Sequence, residues 1–325
     1  MINKKGEHLD YLYRVKDKKI KLGLGLGCVL DDYLRLIKGQ MNILLGHDNV
    51  GKTFWFNWYA LCHAMINDIK WCIYSGENST GQIVRDMVVM LSGCDLEELS
   101  YNDIKRYSAR IENNFEFVNN KKLYTPHELL DVFKESDADV CLIDPVTALN
   151  RSFQYSDTYE FLNDCRHFCN TTNKSVYITT HPVTESGRTG NLYPKDHIWA
   201  GCIKPCLKSH CEGGKPYSNR SDDMIICHRL TNHKDMRYYT MIDIAKVHDI
   251  STGGKQTNLD EPLLFEYNYG KGFKIGGVFS LKSSMLDSSF NLKFLSATLV
   301  SINFNSIIRF LLVFYNLLMD LHHLF

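Results

Sequence analysis

The sequence predicts an α/β fold: a mostly parallel sheet with helices on both faces, finished by antiparallel edge strands. Three observations lead there. From about residue 28 onward, apolar runs of strand length, "MNILL", "WCIYSG", "FEFVN", "VCLID" and "SVYITT", alternate with helical stretches. Three later runs, "MIICHRL", "YTMIDIAKV" and "LLFEYNY", are separated only by turns, and strands joined by short turns pair antiparallel. The first run passes through "GHDNVGKTF" into a helical stretch from Phe54 to Ile66, which is the strand, loop and helix order that a phosphate-binding loop needs.

Taken in order, residues 1–20 are charged and carry little core material, so residues 1–24 read as an N-terminal arm, frayed or used for interaction. The stretch "KLGLGLGC" (Lys21 to Cys28) lacks both the G-x-G-x-x-G spacing and a following helix, and reads as a turn entering the fold. Met41 to Leu45 is a short buried strand. After it, Gly46, His47, Asp48, Asn49, Val50, Gly51, Lys52, Thr53 and Phe54 fit G-x-x-x-x-G-K-[ST]. Glycines let successive backbone N–H groups turn inward towards phosphate oxygens, and the helix start adds its positive dipole end. Lys52 would bridge the β- and γ-phosphates of ATP, and the Thr53 hydroxyl would bind Mg²⁺.

Glu77 follows the second apolar run. Parallel strands end at one common edge, so Glu77 would face the γ-phosphate, where a carboxylate can orient and deprotonate water. "ADVCLIDPVTAL" places Asp144 after an apolar strand, the form of a Walker B aspartate that orders the Mg²⁺ shell. "SVYITTHP" ends in Thr179, Thr180 and His181, and His181 at that strand tip could report the γ-phosphate to nearby loops.

The chain has 325 residues, 44% of them hydrophobic, enough for a substantial core; Lys plus Arg and Asp plus Glu stand at 37 each. That balance excludes a globally basic nucleic-acid binder, so any such contact must be a local patch. Eleven cysteines at irregular spacing suit a reducing cytosol and free thiols, which gives a cytoplasmic location. His197, Cys202, Cys206, His210 and Cys211 crowd together, yet no C-x₂-C pair is present and the spacing matches no common zinc site. One domain is expected over residues 25–277. Residues 278–325 form a hydrophobic tail of unknown role, interrupted by Asn303, Asn305, Arg309 and Asn316. A membrane span, a packed or partner-binding helix and a tail outside the fold all remain open for it, and no membrane partner is implied.

Strand, Walker A loop, strand ending in glutamate, Walker B strand and strand with a polar sensor is the order of the RecA-like core. The stretch "SGENSTGQIVRDMVVMLSG" resembles the glutamate segment of DnaB-type replicative helicases, with Glu77, Ser79, Gln82 and Arg85 matching. "TTHP" is similar to the histidine sensor of phage primase-helicases and the mitochondrial replicative helicase, where DnaB has glutamine. "EGGKPYSNRSDDMIICHRL" resembles a late strand of the family through Asp223 and Arg229. "DIAKVHDISTGG" resembles the stretch that reaches the neighbouring subunit's ATP. Lys246 keeps the family lysine there, while His248 stands where the arginine finger is expected. The likeness spans about residues 25–277.

The resemblance implies a phage-type, DnaB-like replicative DNA helicase that hydrolyses ATP to move on single-stranded DNA as a homo-oligomer, a hexameric ring. Lys246 would act in trans, and a separate primase or loader would be a partner. Neither a primase nor a collar domain precedes the core, so primer synthesis is not implied. In RecA-like rings the loops here at 149–159 and 184–220 face the central channel. The second carries Arg188, Lys195, Lys204, Lys208, Lys215 and Arg220, with Tyr193, Trp199 and Tyr217 interleaved, a composition that suits phosphates and unpaired bases. A RecA- or RadA-like recombination ATPase, or a nucleotide-switched loader or accessory protein, are the alternatives. Glu77 argues against the switch, which needs no base.

Overall fold

The structure is a computed structural model, and it describes residues 6, 8–17, 19, 22–187, 191–258 and 261–278. Nine strands form one sheet in the order β3-β2-β4-β5-β1-β6-β7-β8-β9. β1 (Met41–Leu45), β2 (Trp71–Ser75), β3 (Phe115–Phe117), β4 (Val140–Asp144), β5 (Ser175–Thr180) and β6 (Met224–His228) are parallel. Every residue of β1, β2, β4, β5 and β6 is buried, as expected where helices cover both faces of the strands.

Helices α2 (Lys52–Asn67), α3 (Thr80–Ser92) and α4 (Tyr101–Glu112) come between β1 and β3. α5 (Pro126–Glu135) and α6 (Tyr155–Thr172) follow β3 and β4. Side-chain oxygens start several of them: Ser79 accepts from the Gln82 N–H and Thr125 from the Glu128 N–H, each in a reciprocal capping box. α2 is buried on most faces, from Trp55 to Ala64 without a break. Its Trp55, Phe56 and Tyr59 pack with Trp71 and Tyr177 into a core on one side of the sheet. A second core lies under α5 and α6, around Phe133, Leu162 and Ile178. Complete burial of Phe56 contributes about 1.5–3 kcal/mol, and truncating it to alanine would cost about 3–5 kcal/mol once the cavity is counted.

The expected fold class and strand positions are found, with two differences. The segment read as a single last strand is a hairpin: β8 (Leu263–Tyr267) turns through Gly270 and Gly272, both at positive φ, into β9 (Phe273–Val278). With β7 (Tyr239–Lys246), these make a three-strand antiparallel edge. In the N-terminal arm, Leu9–Lys16 is a helix, α1, none of whose residues is buried. The expected turn at the entry to the fold is present, where Asp31 accepts from the N–H groups of Leu26 and Gly27. The tail from residue 279 lies outside the described residues. Among the described residues, no helix is long and apolar enough to cross a membrane.

Candidate active site

The strand order sets β4, β5 and β1 side by side, so their C-terminal ends share one edge of the sheet. Between β1 and α2 the loop turns through Asn49 (φ 59°) and Gly51 (φ 89°), and Gly51 caps α2. The left-handed value at Gly51 is one that glycine reaches without strain. Gly46 is needed for a different reason: a Cβ there would lie 2.3 Å from the Cys227 carbonyl oxygen. Lys52 Nζ donates to the carbonyls of Gly46 and His47, both at 2.8 Å. Burial lowers the Lys52 pKa, with Cys227 and the nearby carboxylates pulling the other way. Its ammonium therefore rests on its own loop, where a phosphate oxygen could replace a carbonyl.

Asp144, at the tip of β4, is 3% exposed. The Thr53 hydroxyl donates to its Oδ2 at 2.9 Å, and the Thr179 hydroxyl donates to its Oδ1 at 2.5 Å. Burial raises the carboxyl's pKa and these two hydrogen bonds oppose the rise. A carboxylate and hydroxyls on a rigid strand end are hard oxygen donors, the set that suits Mg²⁺. Thr179 is the residue sequence reading left without a role; its signal was a polar side chain at a strand tip beside Asp144.

Glu77 stands on a fixed turn. The Gly76 N–H donates to the Asp144 carbonyl at 2.9 Å, and a Cβ on Gly76 would lie 2.1 Å from that of Ala148. Asn120 Nδ2 donates to the carbonyls of Ser75 and Asn78, bracketing the glutamate. The Glu77 side chain itself is 58% exposed and opens into the cleft. His181 lies between the loop and this glutamate, with Nδ1 2.6 Å from Asp48 Oδ1 and Nε2 3.9 Å from Glu77 Oε1. Lys52, Thr53, Glu77, Asp144 and His181 thus line one cleft of about 1180 Å³.

Other candidates lie elsewhere. Lys246 is at the opposite edge of the sheet, level with Met224, and donates to the carbonyls of Ser218 (2.8 Å) and Ser221 (2.6 Å). The His248 N–H donates to Asp223, and its exposed ring has Nδ1 3.9 Å from Asp222. Lys195, Lys208 and Lys215 are exposed and Lys204 and Arg220 half-buried, whereas Arg188 lies outside the described residues. Arg220 is not wholly open, since its guanidinium sits 4.5 Å from the centre of the Tyr159 ring. Trp199 and Tyr217 correct the expectation of base-stacking aromatics: both are buried, because this stretch folds back on the sheet. Cys202, Cys206 and Cys211 are likewise buried. Cys206 contacts the His47 ring, and among the described residues no group of three His, Cys, Asp or Glu side chains could hold a metal.

This is the RecA-like fold, a nucleotide-binding architecture. No protein-family model matches the chain, and no curated protein does. Among solved structures it is similar to a helicase ATPase domain, with a TM-score of 0.62 and 12% identity over 83% of this chain and 99% of that one. It is equally similar to a DnaB-like replicative helicase described with its interactions with primase, again at TM-score 0.62 and 12% identity, over 84% of this chain and 67% of that one. The chain shares the fold of DnaB-like helicase ATPase domains.

Proposed function

We propose that this chain is the motor of a DnaB-like replicative DNA helicase, hydrolysing ATP with Mg²⁺ to move along single-stranded DNA as a ring of identical subunits. The observation that carries the reading is the convergence of Lys52, Thr53, Asp144, Glu77 and His181 on one cleft at the strand ends. Thr53 and Asp144 have the donor set and spacing to hold Mg²⁺. Lys52 and the loop N–H groups would hold the phosphates. Bound Mg²⁺-ATP supplies the γ-phosphoryl group as the electrophile. Glu77, exposed to the cleft, would orient the attacking water and take its proton, and His181 would meet the γ-phosphate. Lys246 is assigned to a neighbouring subunit's nucleotide, for which it must first release the carbonyls of Ser218 and Ser221. Lys195, Lys204, Lys208, Lys215 and Arg220 would meet DNA phosphates, and a separate primase or loader would complete the machinery.

The test is ATP turnover with and without single-stranded DNA, followed by strand displacement on a forked duplex. Stimulated turnover with displacement is the expected result. Turnover without displacement, in filaments seen by electron microscopy, would favour a recombination ATPase. Nucleotide binding without turnover would favour a switch.

A further inference from the structure

Resting on that reading of the cleft, we propose that Asp48, within the phosphate loop, is a positioning residue for His181. Two groups compete for the same ring nitrogen. Asp48 Oδ1 is 2.6 Å from Nδ1, and Lys52 Nζ is 3.4 Å from it. Lysine only donates and carboxylate only accepts, so Nδ1 can satisfy one of them at a time. The shorter contact to an ionised acceptor prevails, because charge-assisted bonds are the stronger ones. Nδ1 therefore carries its hydrogen towards Asp48, and Nε2 is the nitrogen presented to Glu77 and the phosphate space.

Two consequences follow for the reaction. The ring is held from below by the loop that binds phosphate, so loop and sensor strand are coupled through one hydrogen bond. A phosphoryl oxygen only accepts, so a ring that keeps Nδ1–H on Asp48 and also meets that oxygen carries a hydrogen on each nitrogen. Asp48 also keeps Nδ1 from capturing the Lys52 ammonium. Without the carboxylate, the imidazole is free to rotate and to accept from Lys52, which draws the lysine away from the phosphates. The position lies in a variable slot of the loop motif, where the motif itself asks for no carboxylate.

The test uses the full chain. ¹⁵N NMR of the nucleotide-free protein should find the His181 hydrogen on Nδ1, moving to Nε2 in Asp48→Ala. Turnover by Asp48→Ala should fall about tenfold or more in kcat, as small misplacements near reacting groups do, while binding of a fluorescent ATP analogue changes less than about threefold. Asp48→Asn, which keeps an acceptor oxygen, should fall between. In a His181→Ala background, Asp48→Ala should cost nothing further. The proposal is overturned if Nδ1 carries no hydrogen in the wild-type protein, or if Asp48→Ala costs the same factor with and without His181. If the wild-type chain neither binds nor hydrolyses ATP, the ATPase reading falls instead, and the NMR measurement still decides whether Asp48 holds the ring.

Discussion

The two edges of the parallel strands carry their charges in opposite ways. At the edge where the strands begin, Arg166 bonds to Asp222 and to the Arg220 carbonyl, and Asp222 also accepts from the Met41 N–H. Lys246 donates to the last carbonyls around the short helix α7 (Pro216–Arg220), and Asp223 accepts from the His248 N–H. These groups spend their hydrogen bonds on the fold. At the edge where the strands end, Asp48 and Glu77 are mostly exposed, Lys52 rests on its own loop, and all three face an open cleft. Charge left facing open space at a rigid edge is the mark of a ligand site, and charge closed on itself is structural.

The largest effect that would break this contrast is on turnover. Lys52→Ala and Asp144→Asn should each reduce kcat by about 10³-fold or more, because positioning and neutralising phosphate charge is most of phosphoryl-transfer catalysis. Both variants should stay folded by circular dichroism. Glu77→Gln should still bind ATP and Mg²⁺ and fail to release product in a single-turnover assay. Unimpaired hydrolysis by Glu77→Gln would remove it as the base.

Next comes stability at the other edge. Arg166→Ala leaves Asp222 buried without its cation and should lower unfolding free energy by about 3 kcal/mol, read from urea midpoints. A loss below about 0.5 kcal/mol would mean that the pair is no better than a surface contact.

How much of this contrast was legible in the sequence follows from whether a feature is local. The phosphate loop, Asp144 and Glu77 were readable because each follows an apolar strand run directly. Tyr267 to Phe273 misled, since "YNYGKGF" continues the aromatic pattern of a strand while its glycines make the hairpin turn. The partners of Lys246, Asp48 and Trp199 were not readable. Each is fixed by a segment distant in sequence, and neither charge pattern nor periodicity encodes which carbonyl or carboxylate will arrive.

A smaller effect concerns pH. Asp243 is 5% exposed in β7, with only the Thr257 hydroxyl near it at 3.4 Å, and burial pushes its carboxyl from 3.8 up to about 7. The folded state then binds this proton more tightly than the unfolded chain. Stability is therefore undiminished below about 3.8, and the group's contribution falls as pH rises towards 7 before levelling off. Asp243→Asn removes that slope. Its stability relative to wild type should improve between pH 4 and 7 by on the order of 2 kcal/mol. Parallel urea midpoints at the two pH values check it, and a constant difference would show that Asp243 does not titrate in this range.

The smallest effect is the most informative about assembly, because Lys246 belongs to the closed edge by its contacts and to the open one by its assigned role. An arginine acting across a subunit boundary is worth about 10³ to 10⁵ in rate. Lys246 offers one point charge instead of a bidentate fork, and must leave two carbonyls to act. Lys246→Ala should therefore lower stability by about 1 kcal/mol, for the lost carbonyl contacts, and turnover by about tenfold. The two effects separate by mixing. Lys246→Ala subunits have an intact phosphate loop and Lys52→Ala subunits an intact lysine, so mixed assemblies should regain turnover at interfaces that pair the two. If mixing restores nothing while the stability loss remains, Lys246 is a cap on α7 only, and Arg237, whose guanidinium reaches no further than the neighbouring Tyr238 hydroxyl among its described side-chain contacts, is the next cation to substitute.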